Sequence, residues 1–317
     1  MDNGENAVPN VLIFPLPLQS PVNSMLKLSE LLCLAGVHVT FLNTEHNHRR
    51  LLGSTDAGSR FERYPGKLSF EVISDGLRED HPRSAEDFEG IVKSLQGVAE
   101  AHLREMLRAE RGRKVTCVIA EGMFDYAFEI GKEVGIPVFA FETVSPCYLG
   151  GCLCIPKLLD EKEVLDENLV RELKKGCLEC GRIVSWAPQE EVLAHPAIGG
   201  FWTHSGWNST LESIVAGKPM ICWAQYVDQL VTRRLVSEVW KIGVDMEDRW
   251  DRLSVEKMVK ELMMGSRRQE FKKSAQKFSK LARESVNNGG SSYTSLDHLI
   301  NDIRKLSSIK HFENTLS

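Results

Sequence analysis

The sequence has no surplus of positive charge. Its 39 Lys and Arg are outnumbered by 44 Asp and Glu, for a net charge of −5. A general nucleic-acid binder works by displacing counterions with a basic surface, so the balance argues against one. No apolar run approaches the roughly 20 residues that a membrane-spanning helix needs. The opening MDNGENAVPN lacks the basic end and apolar stretch of a secretory signal. No dinucleotide fingerprint follows a strand, which sets aside a nicotinamide-dependent enzyme. What these absences leave is a cytoplasmic globular protein with no transmembrane segment and no nucleic-acid partner, and 317 residues suffice for two domains.

Eight cysteines are present, and without a secretory signal they read as reduced thiols. Cys152 and Cys154, with Cys177 and Cys180, could frame a four-cysteine zinc site, but one intervening residue in the first pair is tighter than zinc spacing favours. Cysteines as small buried hydrophobes are the preferred reading, and no metal is expected. Asn208-Ser-Thr matches a glycosylation sequon, which carries no weight in an unsecreted chain.

Short β-rich apolar runs alternate with longer amphipathic stretches, the pattern of a parallel sheet covered by helices. Strands are expected at 10–15, 38–43, 68–74, 116–122 and 137–142, and helices near 22–35, 85–110 and 124–134, with Gly36 ending the first helix. The second half restarts with strands at 182–186, 199–204, 218–223 and 242–246. Its helices are expected at 208–216, 228–240, 254–264, 267–286 and near 292–306. The run RRQEFKKSAQKFSKLAR (267–283) either lies on an anionic surface or forms a solvated outer helix face, and the negative overall charge favours the latter. The domains are then 1–150, a linker at 151–181, and 182–317. The second is short for a self-sufficient doubly wound sheet.

One stretch concentrates polar groups where a helix begins: FWTHSGWNSTLESIVAG, residues 201–217. The first N–H groups of a helix lack partners within it, and the dipole puts partial positive charge there. A glycine turn feeding such an end is a ready phosphate site.

Residues 186–229 read WAPQEEVLAHPAIGGFWTHSGWNSTLESIVAGKPMICWAQYVDQ. This resembles the donor-binding box of plant family 1 UDP-glycosyltransferases at Trp186, Gln189, His195, His204, Gly206, Trp207, Asn208, Ser209, Glu212, Gly217, Pro219, Asp228 and Gln229. Residues 10–150 resemble the acceptor domain of that family, with NVLIFPLP and FLNTEHNHRRL nearest the branch acting on iridoids and other terpenoids.

The resemblance implies a GT-B architecture: two Rossmann-like domains facing a cleft, the C-terminal one here incomplete. It implies UDP-glucose or another UDP-sugar as co-substrate, a small lipophilic terpenoid or phenolic acceptor, no metal or other cofactor, and a monomer. Trp186 would stack on the uracil, or else serve as a core tryptophan. Gln189 would bond the base. His204, Asn208 and Ser209 would meet the diphosphate at the turn around Gly206, and Trp207 is carried over as a further donor-binding residue. Glu212 would accept from the ribose hydroxyls, although Ser209 to Glu212 also reads as a capping box. Asp228 and Gln229 would hold the sugar, with Asp228 as the next helix cap the alternative. His195-Pro196 would shape its loop, and His46, His48 and Asp125 would line the acceptor side without assigned chemistry.

The chain also departs from the pattern. The family's catalytic histidine, in the loop after the first strand, falls on Pro21, which has no side-chain base. The family's aspartate becomes Glu121, an orienting carboxylate or substitute base. Lys218 and Ala224 replace a valine and a proline, and the glycine-serine loop of the C-terminal domain is missing between about 160 and 181. Losing a general base costs a factor of about 10²–10⁴. Two functions therefore stand: an inverting glycosyltransferase, or a shortened, catalytically impaired relative that binds nucleotide or a partner. Residual transfer should favour carboxylate or acidic phenol acceptors, which need no proton removed during attack, over alcohols.

Overall fold

The structure is a computed structural model that describes residues 8–53, 61–83, 87–109, 113–149, 184, 187–225, 228–246 and 251–316. The chain divides into two compact units, one of Met1–Thr143 with Thr294–Ser317 and one of Val144–Tyr293.

The first unit is a five-stranded parallel sheet. Its strands are β1 (Asn10–Phe14), β2 (His38–Thr44), β3 (Leu68–Ile73), β4 (Cys117–Glu121) and β5 (Val138–Phe141), in the order β3-β2-β1-β4-β5. β1 and β4 are buried at every residue. Helices cover both faces, so an unbroken apolar run replaces the alternation of a half-exposed strand. Val11 and Ile13 of β1 enter one core with Met25, Leu26 and Leu32 of helix α1 (Gln19–Leu34). Leu12 and Phe14 enter the other, with Leu95 and Leu103 of α3 (Phe88–Arg108) and Ile130 of α4 (Asp125–Val134). Between β2 and β3 lies α2 (Glu45–Gly53), a helix with no buried residue. The loop after β3 is closed by Arg83, whose guanidinium holds both oxygens of Asp75 at 2.9 and 3.2 Å in a buried pair.

Among its described residues the second unit carries three parallel strands in order, β6 (Phe201–Thr203), β7 (Met220–Cys222) and β8 (Gly243–Asp245). Its helices are α5 (Gln189–Ala194), α6 (Trp207–Ala216), α7 (Gln229–Arg234), which runs on into a π-helical turn at Leu235–Val239, α8 (Arg252–Met264) and α9 (Arg268–Val286). A Cβ on Gly243 would sit 2.2 Å from the Met220 carbonyl oxygen, so only glycine lets β8 approach β7. The strand expected at 182–186 falls almost wholly outside the described residues; Val184 is exposed and in no strand. α9 buries Phe271 and Ala275 and turns Lys272, Lys273, Lys277 and Lys280 to solvent, the outer face its composition favours.

The last helix, α10 (Ser291–Leu316), corrects the expected boundary at 182–317. From Thr294 it belongs to the first unit, where Ile300 and Ile303 join the core around α1. Arg304 donates to the Ala35 carbonyl at 2.8 Å. An apolar stripe shows that a helix needs a partner, but not which core supplies it. No described helix is long and apolar enough to cross a membrane. Cys33, Cys117 and Cys222 are buried and Cys147 is exposed, none of them in a disulfide; the two close cysteine pairs lie outside the described residues.

Candidate functional site

The turn from β6 into α6 places three amides ahead of the helix's own bonding. Thr203 Oγ1 accepts from the Ser205 N–H at 3.1 Å, and Ser205 takes φ +66. A non-glycine residue in that left-handed region costs on the order of 1–3 kcal/mol and marks functional turns. Gly206 occupies the cap position of α6, and no side chain caps the helix. Thr210 N–H is the first to reach back, to the Gly206 carbonyl at 3.0 Å. The amides of Trp207, Asn208 and Ser209 therefore precede the helix's own bonding, where positive potential gathers.

His204 lies over this turn. A Cβ at Gly206 would fall 2.3 Å from its Nε2, so even alanine would displace the imidazole. The ring is exposed, yet desolvation by the chain around it holds its pKa below the usual value. At neutral pH it is uncharged and donates one N–H.

Three of the expected donor residues meet. Gln189, the first residue of α5, donates through Nε2 to Ser209 Oγ at 2.9 Å and to Glu212 Oε2 at 2.7 Å. This also sets aside the capping-box reading of Glu212. A capping box needs Ser209 at the cap, but α6 starts at Trp207 and Ser209 is its third residue, so the carboxylate is not tying off the helix.

Other expected residues are placed differently. The Trp207 indole packs on Trp240, with ring centroids 6.4 Å apart, and Trp240 in turn on Phe278. Its side chain is part of the packing, and only its amide joins the turn. Asp228 sits at the cap of α7 but makes no cap bond; its Oδ2 accepts from the Ser145 N–H at 3.3 Å. Burial pushes its pKa up, opposed by that bond. Gln229 Oε1 accepts from the Gln225 N–H at 2.9 Å. Both are 7% exposed, so they are turned into the protein. Trp186 lies outside the described residues. His195 serves its loop, its Nδ1 accepting from the Ala197 N–H at 3.2 Å.

Lys218, noted in the sequence only as a departure, acts on the same loop. Its Nζ donates to the carbonyls of His195 and Ile198 at 3.0 and 2.9 Å. Nothing in the local sequence marks a lysine for that task. Among the described residues no three His, Cys, Asp or Glu side chains stand together as metal ligands.

In the first unit the strand order reverses between β1 and β4, and ligands of doubly wound sheets bind beyond the strand ends at such a point. Glu121 closes β4 there, 4% exposed. Its Oε1 accepts from Thr143 Oγ1 at 2.9 Å, while Oε2 is buried without a partner. Burial raises its pKa to about 7, against the pull of the Thr143 and Leu16 N–H groups. Pro21 is buried in the first turn of α1. His46 and His48 lie in α2, directly after β2, with the His48 ring 5.3 Å from Phe70. Asp125 begins α4, exposed, where a carboxylate complements the dipole.

Comparison with known proteins fits this geometry. The family described as UDP-glucoronosyl and UDP-glucosyl transferase matches residues 164–286. A 7-deoxyloganetic acid glucosyltransferase of Catharanthus roseus is 32% identical over 476 aligned positions, covering 95% of this chain and 98% of that protein. The alignment is longer than the chain's 317 residues and reaches nearly all of both proteins, so this chain is internally shortened. Flavonol 3-O-glucosyltransferase UGT76E12 of Arabidopsis thaliana is 49% identical over 140 residues, 44% of this chain and 31% of that one. Among solved structures, Os79 of O. sativa in complex with UDP superposes with a TM-score of 0.78 at 19% identity, covering 92% of this chain and 100% of that chain. UGT89C1 of Arabidopsis thaliana complexed with quercetin gives 0.77 at 17% identity, covering 94% and 100%. These structural likenesses carry the fold, which is GT-B. By its relatives over nearly the full length, the chain belongs to the plant UDP-glycosyltransferases.

Proposed function

We propose that this chain binds a UDP-sugar, UDP-glucose first, at the start of α6 and transfers the hexose with inversion to a small lipophilic plant metabolite. The observation that carries the reading is the Gln189–Ser209–Glu212 cluster beside the His204–Gly206 turn. The diphosphate meets the amides of Trp207, Asn208 and Ser209 and the neutral His204 ring. Glu212, oriented by Gln189, accepts from the ribose hydroxyls, and Trp186 stacks on the uracil. Asp228 and Gln229 serve the sugar once their local bonds exchange for hydroxyls. Donor charge is met by helix amides, so no metal or other cofactor enters the reading. The names of relatives, 7-deoxyloganetic acid and flavonol glucosyltransferases, support a terpenoid or phenolic acceptor. The described cysteines form no disulfide, which suits a reducing cytoplasm, and the chain is read as a monomer.

Transfer forms a bond from the acceptor oxygen to the anomeric carbon and breaks the bond to phosphate, with UDP leaving on the electron pair. The acceptor's proton needs a base, and Pro21 has none to offer. Glu121 is the carboxylate left for the task, which favours carboxylic acids and acidic phenols over aliphatic alcohols. Pro21 also supports the second reading, a binding protein with little turnover. Titration calorimetry with UDP, then transfer from UDP-glucose, separates them for the wild type, Glu212→Ala and Pro21→His. UDP binding weakened at least tenfold by Glu212→Ala supports the site, and absent UDP binding overturns it. Binding without transfer, rescued by Pro21→His, establishes the second reading.

A further inference from the structure

Glu121 joins two loops at the sheet's C-terminal edge. Thr143, after β5, donates its hydroxyl to Oε1, and the Leu16 N–H, in the loop after β1, acts on the same carboxyl. Oε2 has no partner, and the residue is 4% exposed. A Cβ on Gly122 would meet Glu142 Oε1, so the Glu142 carboxylate lies against the backbone next to Glu121. An ionised Glu121 would thus hold an unsolvated oxygen beside a second negative charge, and burial of a charge without compensation is costly.

We propose that closure of the loop after β1 over Glu121 is coupled to one proton: the loop shuts over the neutral carboxyl and opens to hydrate the ionised one. Any opening that wets this carboxyl returns it to ordinary carboxylate behaviour. The open population then rises with pH by up to about tenfold per pH unit, from the free carboxyl's range to the closed state's own titration. That closed-state value, about 7, sets where the rise ends. The charge that acts on Glu121 is Glu142, at the end of β5. α1 has no charged residue before Lys27. Asp125 starts α4 exposed, and Glu100 of α3 acts on Tyr126.

The device needs no ligand and stands apart from the glycosyl-transfer reading, so its test uses the unliganded protein. Hydrogen exchange of the Leu16 and Leu18 amides is followed from pH 5 to pH 8 and corrected for intrinsic exchange. Protection in the wild type should fall at least tenfold between pH 5 and 7, then level off. In Glu121→Gln it should not vary with pH. Thr143→Val removes a bond that favours the charge and should move the levelling point to higher pH; Glu142→Gln should move it lower. Flat protection in the wild type, a slope retained in Glu121→Gln, or a levelling point unmoved by Thr143→Val each overturn the proposal. The last comparison decides the matter even if Glu121→Gln folds poorly.

Discussion

The two units are the same kind of parallel sheet built at different strengths. In the first, β1 to β4 run five to seven residues, and large cores pack both faces. In the second, all three strands are three residues long, and the clusters on their faces are small. Apolar burial is the main favourable term in folding, so the first unit should be much the more stable. The residues proposed to bind the donor nevertheless sit on the weaker body. Low local stability is usual where ligands bind, because binding then supplies what the free protein lacks. Composition makes this testable, since all six tryptophans (186, 202, 207, 223, 240 and 250) fall in the second unit. Tryptophan fluorescence reports that unit alone.

The contrast is tested hardest by equal truncations. Phe41 and Phe271 are both fully buried, one in each unit, and either change to alanine removes about 3–5 kcal/mol. Phe41→Ala should lower the first unit's calorimetric transition yet leave it folded. Phe271→Ala should abolish the cooperative fluorescence transition. Equal shifts in two surviving transitions would break the comparison.

Next in size is Glu121. Its folded-state pKa, about 7, lies above the ordinary carboxyl's 4.5, so the folded protein holds a proton that the unfolded chain has released. The first unit should lose stability as pH rises from about 4.5 to about 7, by on the order of 3 kcal/mol. Glu121→Gln should flatten that slope in urea titrations, leaving the fluorescence transition unaffected. Slightly smaller is the ligand effect. UDP at a hundred times its Kd should raise the fluorescence transition by about 2.7 kcal/mol and the first unit's not at all. In Glu212→Ala most of that rise should disappear at the same UDP concentration.

The units also differ in how legible they were. NVLIF and CVIAE declare themselves as strands because burial on both faces demands unbroken apolar runs. EHNHRRLLG, α2, gave no such signal, because no residue of it is fully buried and only Leu51 and the His48 ring lean on the sheet's core. In the second unit the donor box located the turn, but it gave Gln189, Ser209 and Glu212 separate roles and not the bonds that join them. Ser-x-x-Glu spacing fits a capping box as well as a helix interior, and only the start of α6 after Gly206 separates them. The bond from Ser145 to Asp228 spans 83 positions, and no local pattern encodes it. The box groups Trp207 with the donor-binding residues, but its side chain follows the aromatic packing of Trp240 and Phe278.

Lys218 offers the smallest effect and the finest test of how the second unit holds its site. Its Nζ clamps two carbonyls of the loop that joins α5 to β6, between Gln189 and the turn at Gly206. Lys218→Met keeps an unbranched stem of similar length and removes both bonds. The bond to His195 is exposed and that to Ile198 part-buried, so water can replace much of what is lost. The fluorescence transition should fall by about 0.5–1.5 kcal/mol, the net value of an ordinary hydrogen bond. UDP affinity should stay within about twofold, an energy well below 1 kcal/mol, because Gln189 is anchored on Ser209 and Glu212 rather than on this loop. A large loss of UDP affinity would mean instead that the loop, and not the start of α6, positions Gln189.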